Sequence, residues 1–154
     1  MAGSAAEPLR WGAGTATLSA AGGDVAKGAS RVQVVLAVAV GGAFGAVGRY
    51  AVSSIVTNSL DIRGSGTLVA NVLGAFVLGA VIGLTEERWV LSGPVRNGIT
   101  VGVLGGFTTF STFMYDVIYH VEEDRWPVSV GLLLATVAMG LVSMIAGLAA
   151  GRAA

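Results

Sequence analysis

The sequence predicts an all-α integral membrane protein with four transmembrane helices. Of the 154 residues, 54% are hydrophobic and 12% charged, which is far more apolar than an ordinary soluble domain. Four apolar stretches each approach or exceed the roughly 20 residues that cross about 30 Å of hydrocarbon as a helix. A spanning β-barrel needs alternating segments of about 10 residues from at least eight strands, and the length and uniformity of these stretches exclude one.

The helices are expected at about residues 32–57, 66–84, 95–121 and 128–150. Their connections are short, so successive helices run antiparallel, and residues 32–152 make one transmembrane domain. Residues 1–31 are rich in alanine, glycine, serine and threonine with scattered charge and no sustained helical period, and are expected to be a disordered extension. A signal peptide is the weaker reading, because its apolar core over residues 11–21 is interrupted by glycine and threonine.

In the first helix Gly41, Gly42, Gly45 and Gly48 form a small-residue face containing Gly41-x-x-x-Gly45, which lets a second backbone come close. Arg49 follows Gly42 and Gly45 by seven and four residues, which places it on the packed side; the alternative is a guanidinium snorkelling to the headgroups. In the second helix Thr67 and Asn71 stand at i and i+4, and Gly74, Ala75 and Leu78 continue the stripe. An amide in hydrocarbon must find partners, so Asn71 either joins helices or faces a hydrated path. Gly79-x-x-x-Gly83 offers a further close-packing site.

Arg88, Trp89 and Arg96 bracket the next loop, and Trp126 with Pro127 marks the start of the fourth helix; these are expected interface anchors. Ser92 before Pro94 suits a helix start. Glu122, Glu123, Asp124 and Arg125 read as a solvated face.

The third stretch carries the chemistry. Residues 95–121 would make a continuous helix of about 40 Å, longer than the bilayer core by a third, so a break is expected. Gly102, Gly105 and Gly106 supply backbone freedom just before Thr108 and Thr109, whose hydroxyls compete for helix hydrogen bonds. Carbonyls freed there suit a small cation, and a half-helix starting beyond the break points its amides towards an anion. With helix resuming near Thr109, Phe110 and Phe113 share a face, and Ser111 and Thr112 turn elsewhere. Phenyl edges are weakly positive and stabilise a desolvated anion; the hydroxyls and the Asn71 amide do so better. Aromatic core packing and hydroxyls bonded to their own backbone are the competing readings. In the fourth helix Thr136 and Ser143 share a face at seven-residue spacing and extend the polar track.

There is no cysteine, and nine basic residues balance nine acidic ones, which argues against nucleic acid as a partner. No enzymatic constellation is visible. The single histidine, His120, is expected to be solvated near the end of the third helix. Outside the spans, Arg10, Lys27, Arg31, Arg88, Arg96 and Arg152 fall on one side and Arg63 and Arg125 on the other, a bias that places both termini weakly in the cytoplasm.

Three segments together, GGAFGAVGRY over residues 41–50, GTLVANVLGAF over 66–76 and GVLGGFTTFSTF over 102–113, resemble the CrcB/Fluc fluoride channels across all four spans. The resemblance implies a dimer of four-helix subunits in opposite orientations, a dual-topology arrangement, in the bacterial inner membrane. Two pores at the dimer interface would export cytoplasmic fluoride passively and so confer fluoride resistance. By position it implies that Asn71 donates to the ion and that Phe110 and Phe113 line an aromatic constriction. Ser111, Thr112, Thr67 and Thr136 would add to the polar path. It also implies a structural sodium ion held by the carbonyls of Gly105 and Thr108 from both subunits, and an acidic residue at Asp116. Arg49 and Asp116 stand as structural or gating candidates. The extension before residue 31 departs from the family core, and the arginine bias leaves a fixed-orientation heterodimer with a homologous subunit open beside the homodimer. The alternative function is a small multidrug-type four-helix transporter, which normally needs an acidic residue buried in the membrane. A noncatalytic scaffold subunit would explain the glycines but not the hydroxyl and phenylalanine cluster.

Overall fold

The structure, a computed structural model, describes residues 31–87 and 91–154. Residues 1–30 of the expected extension and the anchors Arg88 and Trp89 lie outside the described residues, while its last residue, Arg31, is helical. Helix α1 spans Arg31–Leu60 and α2 spans Ser65–Glu87. The third span is composite: α3 (Gly93–Asn97), a π-helical stretch Gly98–Leu104, and α4 (Gly105–Phe107), followed by α5 (Ser111–Glu122). Helix α6 spans Trp126–Ala153. The four spans are each long and apolar enough to cross a membrane.

Among the described residues the buried apolar side chains are Ala70, Leu104, Phe113 and Leu132, while large ones such as Phe44, Val47, Leu134 and Ile145 face outward. This inversion follows from the solvent. Lipid tails are as apolar as leucine, so helices associate by close packing and hydrogen bonds rather than by burying bulky side chains.

Glycine supplies that packing in two places. On α1, Gly41 and Gly45 meet the backbone of the third span at Gly98 and Val103. From the other side, a β-carbon on Gly102 would lie 2.9 Å from the Val38 carbonyl, and one on Gly106 2.7 Å from that of Gly42. The glycines expected to loosen the third helix, Gly102 and Gly106, therefore act mainly by admitting α1. Helices α2 and α6 form the other pair. Gly79-x-x-x-Gly83 faces Gly147-x-x-x-Gly151, and a β-carbon on Gly83 would lie 2.6 Å from the Leu148 carbonyl. The second half of that match was not read from the sequence, although its spacing was there to be seen.

Ser143 Oγ ties the α2–α6 pair by donating to the Val72 carbonyl at 2.8 Å. Ser129 Oγ ties the start of α6 to α5 through the Val117 carbonyl at 2.8 Å. Between α1 and α2 the chain turns sharply at Gly64, whose φ of +89° suits glycine, and a side chain there would also strike Leu132 and Asp116. Ser92 takes the N-cap position of α3 with extended backbone, but its hydroxyl makes no capping bond. Glu122 through Arg125 are exposed, as expected of a solvated face.

Candidate functional site

The expected break is present. Helix stops at Phe107, Thr108 turns extended with ψ of 154°, and helix resumes at Ser111 rather than near Thr109. A break inside hydrocarbon strands backbone groups, and each must be satisfied within the protein. Asn71 of α2 does this for Thr109: its Oδ1 accepts from the Thr109 N–H at 2.8 Å, and its Nδ2 donates to the Thr109 carbonyl at 3.0 Å. Arg49 serves the Gly106 carbonyl, donating from Nε at 3.2 Å. Its guanidinium thus stands on the packed side, which resolves the two sequence readings in favour of packing.

The break takes helical donors from several carbonyls, Gly105 and Thr108 among them. Thr109 N–H, which an unbroken helix would give to Gly105, goes to Asn71. Thr112 N–H, which would go to Thr108, approaches Thr109 Oγ1 at 3.4 Å. Gly105 and Thr108, the pair that the family resemblance implies, are among the positions whose carbonyls lose a helical donor, and neutral oxygens of this type suit a hard monovalent cation. Gly105 is exposed. Among the described residues no group of three or more His, Cys, Asp or Glu is placed to hold a metal.

The phenylalanines do not share an environment. Phe110 is 72% exposed and Phe113 is 4% exposed, and their rings meet edge to face with centroids 6.2 Å apart. Phe110 has helical backbone and keeps the i, i+3 relation to Phe113, so the two rings stay in contact while only Phe113 is covered by the rest of the chain. Beside Phe110, the Thr109 hydroxyl lies 3.4 Å from Ser111 Oγ and donates to Thr112 Oγ1 at 3.2 Å. Ser111, Thr112 and Phe110 thus form an exposed polar and aromatic patch next to the break. Thr108 Oγ1 instead donates back to the Leu104 carbonyl at 3.0 Å.

Thr67 is buried and donates to Asp116 Oδ2 at 2.7 Å, so its donor is committed within the chain. Asp116 is buried as well and pairs with Arg63 Nε at 3.3 Å. Its environment is internal rather than interfacial. Thr136 is buried, and its hydroxyl lacks a partner. Its companion Ser143 acts as helix glue through Val72 and does not extend a track.

The expectation for His120 is overturned. It is fully buried, its Nε2 lies 2.9 Å from the Arg63 carbonyl, and its Nδ1 is unpartnered. The sequence reading placed it by distance from the helix end and overlooked that Phe113, Asp116 and His120 recur at helical spacing on one face. Arg63 was likewise missed as a contact residue, being read as a loop charge.

A family model described as "CrcB-like protein, Camphor Resistance (CrcB)" matches residues 36–148. A protein of Geobacter sulfurreducens named "Fluoride-specific ion channel FluC" is 41% identical over 123 residues, covering 79% of this chain and 98% of the relative. Proteins of the same name from Chloroflexus aurantiacus and Nitrobacter winogradskyi are 36% and 37% identical, covering 77% and 74% of this chain and 94% and 91% of themselves. The match takes in all four spans, the break and Asn71, and on this evidence the chain belongs to the CrcB family of multi-pass membrane proteins.

Proposed function

We propose that this protein is a fluoride-selective channel that releases cytoplasmic fluoride passively across the bacterial inner membrane. The observation that carries the reading is the broken third span. Asn71 pins the break, and the break presents the Thr109, Ser111 and Thr112 hydroxyls beside an exposed Phe110. An anion leaving water needs replacement donors of moderate strength, enough to enter and weak enough to leave. An amide has two N–H donors, and Asn71 uses one on Thr109, which leaves the second for the ion. The exposed edge of Phe110 adds a weakly positive surface.

The functional unit in this reading is an antiparallel dimer, homodimeric or formed with a homologous subunit. Phe110 and Gly105 are exposed at membrane depth on one protomer, which suits a partner subunit there. Carbonyls of Gly105 and Thr108 from each subunit would be the oxygens that hold one shared sodium ion, which would supply positive charge between the two breaks. Within each chain, Arg49 and Asn71 hold the break open.

A multidrug-type exchanger is disfavoured because the one buried carboxylate among the described residues, Asp116, has its partners, Arg63 and Thr67, within the chain. The deciding experiment is fluoride efflux, read with a fluoride electrode, from liposomes containing this chain alone, with chloride as the control anion. Rapid release of fluoride without chloride supports the reading. Absence of release from well-folded protein rejects the self-sufficient channel.

A further inference from the structure

The half-helix α5 follows three non-helical residues, so the backbone entering it does not set its direction. Its direction must come from what its buried face touches. That face is Phe113, Asp116 and His120, and the two polar members are both held by Arg63. The Arg63 carbonyl lies 2.9 Å from His120 Nε2, and Arg63 Nε donates to Asp116 Oδ1 at 3.3 Å. The guanidinium carbon also lies 4.2 Å from the Tyr119 ring centroid and 4.9 Å from that of Tyr115, within cation–π range. One residue therefore grips four consecutive or near-consecutive positions of α5, using both its backbone and its side chain.

Arg63 is itself fixed. It lies in the tight connection between α1 and α2, flanked by Asp61 with φ of 51° and Gly64 with φ of 89°. Arg63, Thr67 and Asn71 follow at four-residue steps and bond in antiparallel order to His120 and Asp116, to Asp116, and to Thr109. This is a polar ladder from the connection up α2. Its upper rung holds the break and its lower rungs hold the far end of the half-helix, with Phe113 between them.

We propose that Arg63 and His120 are positioning residues for the permeation path, setting the tilt of α5 and hence the place of Phe113. Fluoride conduction enters this inference only through the channel reading above. The positioning itself is independent of the ion carried. His120 donates from Nε2 to the Arg63 carbonyl, which can only accept, and its other nitrogen is buried without a partner. Replacing the ring by leucine removes the donor at similar bulk. Glutamine restores an N–H at similar reach, so the two substitutions separate the bond from the volume.

The test uses the full chain in liposomes with 4-fluorophenylalanine at position 113, read by fluorine NMR, alongside fluoride efflux. His120→Leu and Arg63→Ala are expected to shift or broaden the position-113 resonance and to slow efflux at least fivefold, with His120→Gln returning both towards the parent. Arg63→Lys keeps the charge and the backbone carbonyl but loses the planar guanidinium, and should move the resonance less than Arg63→Ala. If Arg63→Ala fails to fold, the lysine and His120 variants carry the test. An unmoved resonance in folded His120→Leu and Arg63→Lys overturns the inference. A moved resonance with glutamine rescue supports it even where the parent passes no fluoride, in which case the channel reading alone fails.

Discussion

Asn71 and Thr109 are bonded to each other twice, N–H to Oδ1 at 2.8 Å and Nδ2 to the carbonyl at 3.0 Å. The amide completes the backbone at the break as a neighbouring peptide would, and it still has one N–H in hand. Its structural and conductive roles are thus compatible. Asn71→Asp keeps the acceptor for the Thr109 N–H, loses the donor and adds negative charge beside an anion path. Efflux of fluoride from liposomes should fall at least tenfold while the protein still elutes as one monodisperse species. Asn71→Ala loses both bonds and should in addition cost about 1 kcal/mol of stability, at roughly 0.6 kcal/mol for each interhelical bond in a membrane.

The two phenylalanines should respond differently to the same change. Phe110 is largely exposed on the protomer, so Phe110→Ile is expected to reduce efflux at least tenfold without lowering the protomer's thermal stability. Phe113 is buried, and Phe113→Ile should lower both. Equal stability losses for the two variants, measured by heat-induced aggregation in detergent, would contradict their separate environments.

Thr136 and Ser143 share a face but not a role. Ser143→Ala removes a bond to the Val72 carbonyl and should cost about 0.6 kcal/mol with efflux unchanged. Thr136→Val replaces a buried hydroxyl that has no partner with a methyl of the same shape, so stability should hold or rise by up to about 1 kcal/mol. If that hydroxyl serves the ion, efflux drops in the same variant; unchanged efflux would remove Thr136 from the pathway.

Glycines identical in sequence should differ by neighbourhood. Gly83→Val places atoms against the Leu148 carbonyl and the Arg152 amide of α6, where backbone cannot yield, and should prevent recovery of monodisperse protein. Gly93→Ala meets nothing within 4 Å and should be recovered at the parent's yield. Size-exclusion profiles of the two variants decide this directly.

The sequence by itself determined the four spans, the small-residue faces of α1 and α2 and the break in the third span. Each of these rests on local properties: the length of apolar runs, the spacing of glycines, and a helix too long for the bilayer with hydroxyls and glycines at its centre. The family likeness at residues 41–50, 66–76 and 102–113 supplied the candidate site residues. What it could not supply was which partner each polar group would take. Arg49 could face lipid headgroups or a carbonyl on the basis of spacing, and the choice came from how closely Gly42 and Gly106 let two backbones approach. His120 looked solvated because its distance from the helix end was known and the position of the α1–α2 connection was not. The tertiary structure brings the Arg63 carbonyl to it. Phe110 and Phe113 touch, yet only Phe113 is buried, because the rest of the fold covers one ring and leaves the other exposed. For the polar groups the deciding quantity is their satisfaction in a medium without water, which depends on contacts between residues 38 to 57 positions apart.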